Sequence, residues 1–286
     1  MRFLAFSVNG RDGLAVVGDN GEHWGLMSDD SRYPGSLSDL VVSGGGALGE
    51  AASKLLEGQV IDIEKVNVLP PFPKPNKIFC LGLNYAEHAA EGGFEPPPYP
   101  TVFARFASSL IGHNAPIICP KVSHLLDYEG EFVAVIGKGG KNIDKDSALG
   151  HVVGYAVFND ASIRDYQLIT PQWTIGKNFD DTGAFGPYFV TADELPAGAA
   201  GLHIETRLNG EVVQSASTDD LIFDVATTVS LLSVPITLDA GDIIVMGTPS
   251  GVGHARKPPL YMKDGDVCEV EVEGMGILRN PIVNEA

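Results

Sequence analysis

The stretch that most constrains this chain is Leu125-Leu126-Asp127-Tyr128-Glu129-Gly130-Glu131-Phe132-Val133-Ala134-Val135-Ile136-Gly137. Its second half reads as a buried strand, β-branched and aromatic and closed by a glycine. Its first half carries carboxylates at Asp127, Glu129 and Glu131. Residues two apart on a strand share a face, so all three acids are expected to point the same way, at the mouth of an apolar strand. Adjacent anions there repel and resist burial. A hard divalent cation relieves both costs, and carboxylate oxygens suit Mg²⁺, Mn²⁺ or Ca²⁺. A solvated strand end or a salt bridge accounts for the same residues, so the rest of the chain has to decide.

The net charge is -18, from 19 basic and 37 acidic side chains, with no run of Lys and Arg. That argues against nucleic acid, whose phosphates need concentrated cations, and against anionic membrane surfaces. An acidic substrate remains open if a metal and a few local cations reverse the field. Cys80, Cys119 and Cys268 are scattered and odd in number. They predict neither a disulfide framework nor a zinc site, and they fit a reducing cytoplasm. No apolar run is long enough to span a membrane, and Phe3-Leu4-Ala5-Phe6 is too short for a signal segment. The expected location is therefore cytoplasmic.

Residues 1–70 read as a small α+β unit. Strands are predicted at Arg2 to Val8, Gly13 to Val17 and His23 to Leu26, and helices near Leu37 to Leu40 and Ala47 to Leu56. Pro70-Pro71-Phe72-Pro73-Lys74-Pro75 is a stiff linker and the expected boundary. After the short strand Lys77 to Leu81, His88 and Glu91 fall three apart on one helical turn. A His oriented by a carboxylate serves as a general base, although an exposed, solvated pair has the same pattern. Gly92-Gly93 and Glu95 to Pro98 predict a mobile flap. A second buried strand, Val152 to Asn159, ends in Asp160. A helical turn after it sets Arg164 and Gln167 on one face, a clamp for a carboxylate or an oxyanion; a salt bridge from Arg164 to Asp160 is the alternative. Lys177 is the candidate cation of a polar, glycine-rich loop. Leu202 to Gln214 reads as a hairpin around Asn209-Gly210, and Ser217 to Asp220 as the cap of a helix from about Leu221 to Ser233. The strand Asp242 to Met246 runs into Gly247-Thr248-Pro249-Ser250-Gly251-Val252-Gly253, where Thr248 offers a hydroxyl. Gly137-Lys138-Gly139-Gly140-Lys141 lacks the spacing of a P-loop. Strands and helices do not alternate regularly, which predicts an α+β, mostly β protein with a mixed sheet rolled on itself.

Asn84-Tyr85 with His88-x-x-Glu91, Asp127-Tyr128-Glu129-Gly130-Glu131, Asn159-Asp160-x-x-x-Arg164-Asp165-x-Gln167, Gly176-Lys177 and Gly247-Thr248-Pro249-x-Gly251-Val252-Gly253 occur in one order. From about Lys77 to the end, this set resembles the fumarylacetoacetate hydrolase superfamily. The resemblance implies a mixed β-roll catalytic domain at 71–286 behind a small N-terminal domain at 1–70. It implies Mg²⁺ or Mn²⁺ (Ca²⁺ as a substitute in crystals) and a homodimer. It puts the metal ligands at Glu129, Glu131 and Asp160, with Asp127 outside that set, and the His88–Glu91 dyad on a lid. Lys177 and Gln167 match residues that contact the substrate or stabilise a developing anion. Arg164 lies beside them, and Tyr85 and Thr248 match substrate contacts. Arg105, Phe106, Tyr166 and Trp173 are expected near the acyl pocket from their proximity to the motifs. The implied activity is C–C hydrolysis of a 2,4-dioxo acid of the acylpyruvate or fumarylpyruvate type, as in aromatic catabolism, by way of a pyruvate enolate. The same electron sink serves oxaloacetate decarboxylation, isomerisation of a 5-carboxymethyl-2-hydroxymuconate-type acid and dehydration of a sugar acid. A non-catalytic metal-binding scaffold is the rival from another class. The dyad tips the expectation toward hydrolysis.

Overall fold

The strand Gly130–Ile136 is buried along its whole length in the computed structural model of the chain, which describes every residue except Gly92, Phe94 and Pro96. Alternation sorts its side chains between two cores. Phe132, Ala134 and Ile136 pack with Ile204, Val270 and Leu278 of a smaller sheet. Val133 and Val135 face the other way, toward Phe3, Leu14, Leu40 and Leu55. Each such aliphatic or aromatic side chain, once buried, stabilises the fold by roughly 1.5–3 kcal/mol. The strand is therefore fixed from both faces.

This central strand lies inside a 12-stranded mixed sheet. It pairs antiparallel with Val152–Asp160 on one side and with Ile243–Val245 on the other. Ile243–Val245 pairs in parallel with Ile78–Gly82, which pairs with Thr101–Ala104 at the sheet's end. In the other direction the sheet continues through Gly183–Thr191 to Arg2–Val8, Arg11–Val17, His23–Met27 and Gln59–Ile61. A second sheet of five strands (Glu211–Ser217, His203–Leu208, Val267–Val272, Gly276–Asn284 and Ile117–Cys119) packs on the first face of the central strand. The fold is thus α+β and strand-dominated, as the pattern predicts. Among the described residues no helix is long and apolar enough to cross a membrane.

Register brings the acids together. Gly130 is opposite Asn159 and Glu131 opposite Phe158, so Glu129 falls opposite Asp160, whose N–H donates to the Glu129 carbonyl at 2.9 Å. Opposed and diagonal residues on one face of an antiparallel pair are neighbours.

Two expectations change. Asp127 does not continue the alternation of Glu129 and Glu131. Leu126–Asp127 is a separate short strand paired with Ser162–Ile163, and the chain breaks from it at Tyr128 and Glu129. Asp127 turns instead to Arg164 and to the backbone N–H groups of Tyr128, Gly253 and His254, which satisfy it completely. The helix expected from Leu221 begins later. The reciprocal Ser217–Asp220 cap closes only the 3₁₀ turn Thr218–Asp220, and the helix Val225–Ser233 has its own cap at Asp224. The intervening residues are held elsewhere: Ile222 N–H donates to the Asn84 carbonyl (2.7 Å) and Phe223 N–H to Asn84 Oδ1 (2.8 Å).

Candidate active site

Glu129, Glu131 and Asp160 are buried, and one oxygen from each lies within 4.8 Å of the others. Three cations from separate segments approach them. Lys177 Nζ donates to Glu129 Oε2 at 2.5 Å and Asp160 Oδ2 at 2.7 Å and sits 5.0 Å from the centre of the Phe103 ring. Arg164 Nη1 meets Glu129 Oε1 at 2.6 Å, while its Nε donates to Asp127 at 2.8 Å. The salt bridge from Arg164 to Asp160 is not the one formed. Arg105 Nε takes that place, 2.8 Å from Asp160 Oδ1, but without the alignment of a hydrogen bond, so that oxygen stays unsatisfied.

The cations are unevenly shared. Burial alone would raise the Glu129 carboxyl, but Lys177 and Arg164 outweigh it and bring its pKa down to about 2. Glu131 forms no ion pair among the described residues; its Oε2 accepts the Gly247 N–H. Burial, then repulsion from Asp160 and Glu129, pushes its carboxyl well above the usual range. Burial opposes the charge on Lys177, yet Asp160 and Glu129 hold its pKa above the ordinary lysine value. A buried trio of hard oxygen donors, with one oxygen unsatisfied and one carboxyl lacking a countercharge, fits a divalent cation.

The helix Ala86–Glu91 carries the dyad. His88 Nδ1 is 3.6 Å from Glu91 Oε2, beyond hydrogen-bond reach, and has no partner. The Glu91 carboxylate instead accepts the Gly251 N–H at 3.0 and 3.1 Å, and Ser250 donates to Glu87 at 3.3 Å. Burial raises the Glu91 pKa, but His88 and the Gly251 N–H outweigh it and hold the carboxyl below its usual value. The helix is thus tied to the glycine-rich loop. Gly92 and Pro96 of the expected flap lie outside the described residues.

Several of these groups line a cavity of about 200 Å³. Its polar lining includes Glu129, Glu131, Lys177, Arg164 and Gln167, its apolar lining Leu81, Phe103, Leu168 and Trp173, and His88 and Thr248 also line it. Gln167 Oε1 accepts from Arg164 at 2.8 Å, leaving its amide N–H groups for a ligand. The Thr248 hydroxyl is engaged, donating to the Gly130 carbonyl and accepting from Gln214. Tyr85 lies apart, in a neighbouring cleft with Asp220 and Pro249, and its hydroxyl is unpartnered. Of the residues expected near the acyl pocket, Trp173 lines the cavity. Arg105 lies behind the acids, Phe106 is on the surface, and Tyr166 packs edge-on against Phe179.

His254 also lines this cavity, and sequence reasoning passed over it. The available signal was its place directly after Gly247–Gly253. The anchoring role of Asp127 had no local signal, because the partners it ties together lie 37 and about 126 positions away.

Residues 77–283 match the family model described as fumarylacetoacetate (FAA) hydrolase C-terminal. The chain is 38% identical to "Oxaloacetate tautomerase fahd2, mitochondrial" of Xenopus laevis over 290 aligned positions, covering 99% of this chain and 90% of that one. It superposes on a fumarylacetoacetate hydrolase from psychrophilic Exiguobacterium antarcticum with a TM-score of 0.86 at 34% identity, over 100% of both chains. A maleylpyruvate hydrolase from Sphingobium sp. SYK-6, solved in complex with manganese(II) ion and pyruvate, gives a TM-score of 0.81 at 26% identity, again over 100% of both.

Proposed function

The chain belongs to the fumarylacetoacetate hydrolase family, and on that premise we propose that it is a divalent-metal-dependent enzyme catalysing keto–enol tautomerisation of a small 2-oxo dicarboxylic acid of the oxaloacetate type. The observation that carries this reading is a buried acidic trio, two of whose members bind Lys177, with Glu129 and Glu131 lining one small cavity together with His88 of a His–carboxylate pair. Similarity to oxaloacetate tautomerases supports it. So does the cavity, smaller than the roughly 300–1,000 Å³ of drug-sized pockets.

Glu129, Glu131 and Asp160 would hold Mg²⁺ or Mn²⁺, which when bound supplies a Lewis acid for the substrate's oxygens. Gln167 donates its free amide N–H to the substrate carboxylate. An ammonium has three donors; Lys177 spends two on the acids and offers the third, held only by a long 3.5 Å contact to the Asp160 carbonyl, to the 2-oxo oxygen. His88 removes a proton from C3, the electron pair moves onto the 2-oxo oxygen, and the imidazolium returns that proton to the oxygen to give the enol and restore the base. Glu91, freed from Gly251, orients the imidazole. The apolar walls keep water from competing for that proton.

His88 favours one second reading. A half-buried imidazole with an unbonded Nδ1 beside a carboxylate is equally a base for water. Water would then attack the distal carbonyl of an acylpyruvate and the C–C bond would break, leaving a pyruvate enolate to be protonated. Similarity to the maleylpyruvate hydrolase supports it. We further propose a homodimer, because Leu168, Ile169 and Ile175, on the turns carrying Gln167 and Trp173, are 54%, 70% and 63% exposed.

The test is purified protein with Mg²⁺ or Mn²⁺, followed by enol absorbance and product analysis on oxaloacetate and on acylpyruvates. The expected result is metal-dependent enol–keto interconversion without cleavage. Cleavage of an acylpyruvate would favour the second reading, and no metal-dependent turnover of either substrate would remove both.

A further inference from the structure

Two imidazoles line the cavity, and the proposed reaction uses one. His254 follows the glycine-rich loop, on the turn Gly253–Ala255, and this turn is rigidly seated. The N–H groups of Gly253 and His254 both donate to Asp127, each at 2.8 Å. Leu260 N–H closes back on the Gly253 carbonyl at 3.0 Å. A Cβ on Gly253 would stand 1.8 Å from the Leu260 carbonyl oxygen, so only glycine lets the turn close this tightly. The carboxylate that anchors the turn also holds Arg164 at 2.8 Å. His254 is thus positioned from the same framework as the acidic trio.

Its ring is oriented as well. Nδ1 lies 2.8 Å from the Tyr261 hydroxyl, and Nε2 has no partner among the described residues. An anion at Nε2 selects the tautomer with its N–H there, and Tyr261 then donates to Nδ1. The other basic groups near the cavity are anchored elsewhere, although Arg164 Nη2 has no partner among the described residues. Lys177 and Arg164 are held by the acids. Arg256 turns away to the Gly251 and Val213 carbonyls. Leu81, Phe103, Trp173 and Val252 also line the cavity, and His254 reaches it from an exposed position. A small ligand that meets both the acids' cations and His254 carries an anionic head and a second hydrogen-bond acceptor.

We infer that His254, oriented by Tyr261, is a specificity-determining residue that binds the distal carboxylate of a 2-oxo dicarboxylic acid. This rests on the 2-oxo acid reading of the site and adds how two carboxylates are told from one. Neither side chain takes part in the proton transfer.

The test is calorimetric titration of the Mn²⁺-loaded protein with pyruvate and with 3,3-difluorooxaloacetate, which has both carboxylates and no C3 proton. The readout is the ratio of the two affinities, in which differences in head-group chemistry cancel between variants. Wild type is expected to prefer the dicarboxylate. His254→Leu is expected to cut that preference about ten- to hundredfold, the worth of a hydrogen bond to a charged group. Tyr261→Phe should lose part of it, and His254→Gln, which keeps an N–H donor, should retain part. An unchanged ratio in His254→Leu, or equal loss for both ligands, overturns the assignment while leaving the 2-oxo acid reading intact. The same holds if wild type binds pyruvate and not the dicarboxylate. If wild type binds neither ligand, the reading of the site fails and the assignment with it.

Discussion

Replacing Lys177 with Met keeps the length of the side chain and removes its charge. The lysine is 1% exposed and makes two contacts, at 2.5 and 2.7 Å, with buried carboxylates. Removing one partner of a buried pair leaves the other uncompensated and costs about 3–5 kcal/mol. That is a large fraction of the roughly 5–15 kcal/mol that holds a typical domain folded. The same carboxylates are the proposed metal ligands, so the deficit should depend on metal. A ligand specific to the native state at 100 times its dissociation constant adds about 2.7 kcal/mol. It should add more to Lys177→Met, where the cation also replaces the missing charge and where one fewer positive group repels it. Urea unfolding in EDTA and in saturating Mn²⁺ measures both. We expect a deficit of about 3–5 kcal/mol in EDTA that at least halves in Mn²⁺. A deficit equal in the two conditions would mean that Lys177 and the metal do not share these acids. A deficit below about 1 kcal/mol in EDTA would refute the charge argument itself.

Three further outcomes are expected. His88→Ala should lower kcat by about 100- to 10,000-fold, the usual worth of a general base, with Mn²⁺ affinity by calorimetry unchanged; a loss of less than about threefold would place the base elsewhere. Gly82→Ala would put a Cβ 2.0 Å from the Trp173 ring; pushing that ring toward the cavity should cost about 1–3 kcal/mol of stability and raise KM, and wild-type values for both would show that the wall yields freely. His113 is brought down to about 4 by burial and by Arg279, consistent with its Nδ1 accepting the Arg279 N–H at 3.1 Å. Below pH 6.5 the unfolded chain binds a proton there that the folded protein refuses until about pH 4, so stability falls as pH falls through that window. About 2 kcal/mol should be lost between pH 6.5 and 5, and His113→Gln should flatten that part of the unfolding profile; an identical slope in the variant would exclude His113 as its source.

The sequence was most legible where chemistry and period coincide. Strand alternation put Glu129 and Glu131 on one face, and the family resemblance added Asp160, at the end of a second apolar strand, to their group. Their meeting depends on the Gly130–Asn159 register, which only the paired chain defines. Asp127 was misread because it continues the same two-residue spacing; a break at Tyr128, stabilised by N–H groups about 126 positions away, leaves no local trace. The late helix start has a similar origin. Ser217 to Asp220 form a good cap, but Asn84 captures the next residues before a second turn can form. Nor does any local pattern show that Phe3 pairs with Phe189 and extends the main sheet. His254 is a lone histidine in a loop, and its place directly after Gly247–Gly253 is the one local sign that sets it apart from a surface residue.

The central strand touches a separate core with each of its faces. One consequence concerns how such a protein can be altered. The acids at its start inherit their position from packing on two sides, so substitutions in either core will disturb them together with stability. The turns bearing Gln167, Trp173 and His254 surround the cavity and contribute little to either core. Variation confined to those turns is the route by which substrate choice can drift while the reactive groups keep their places.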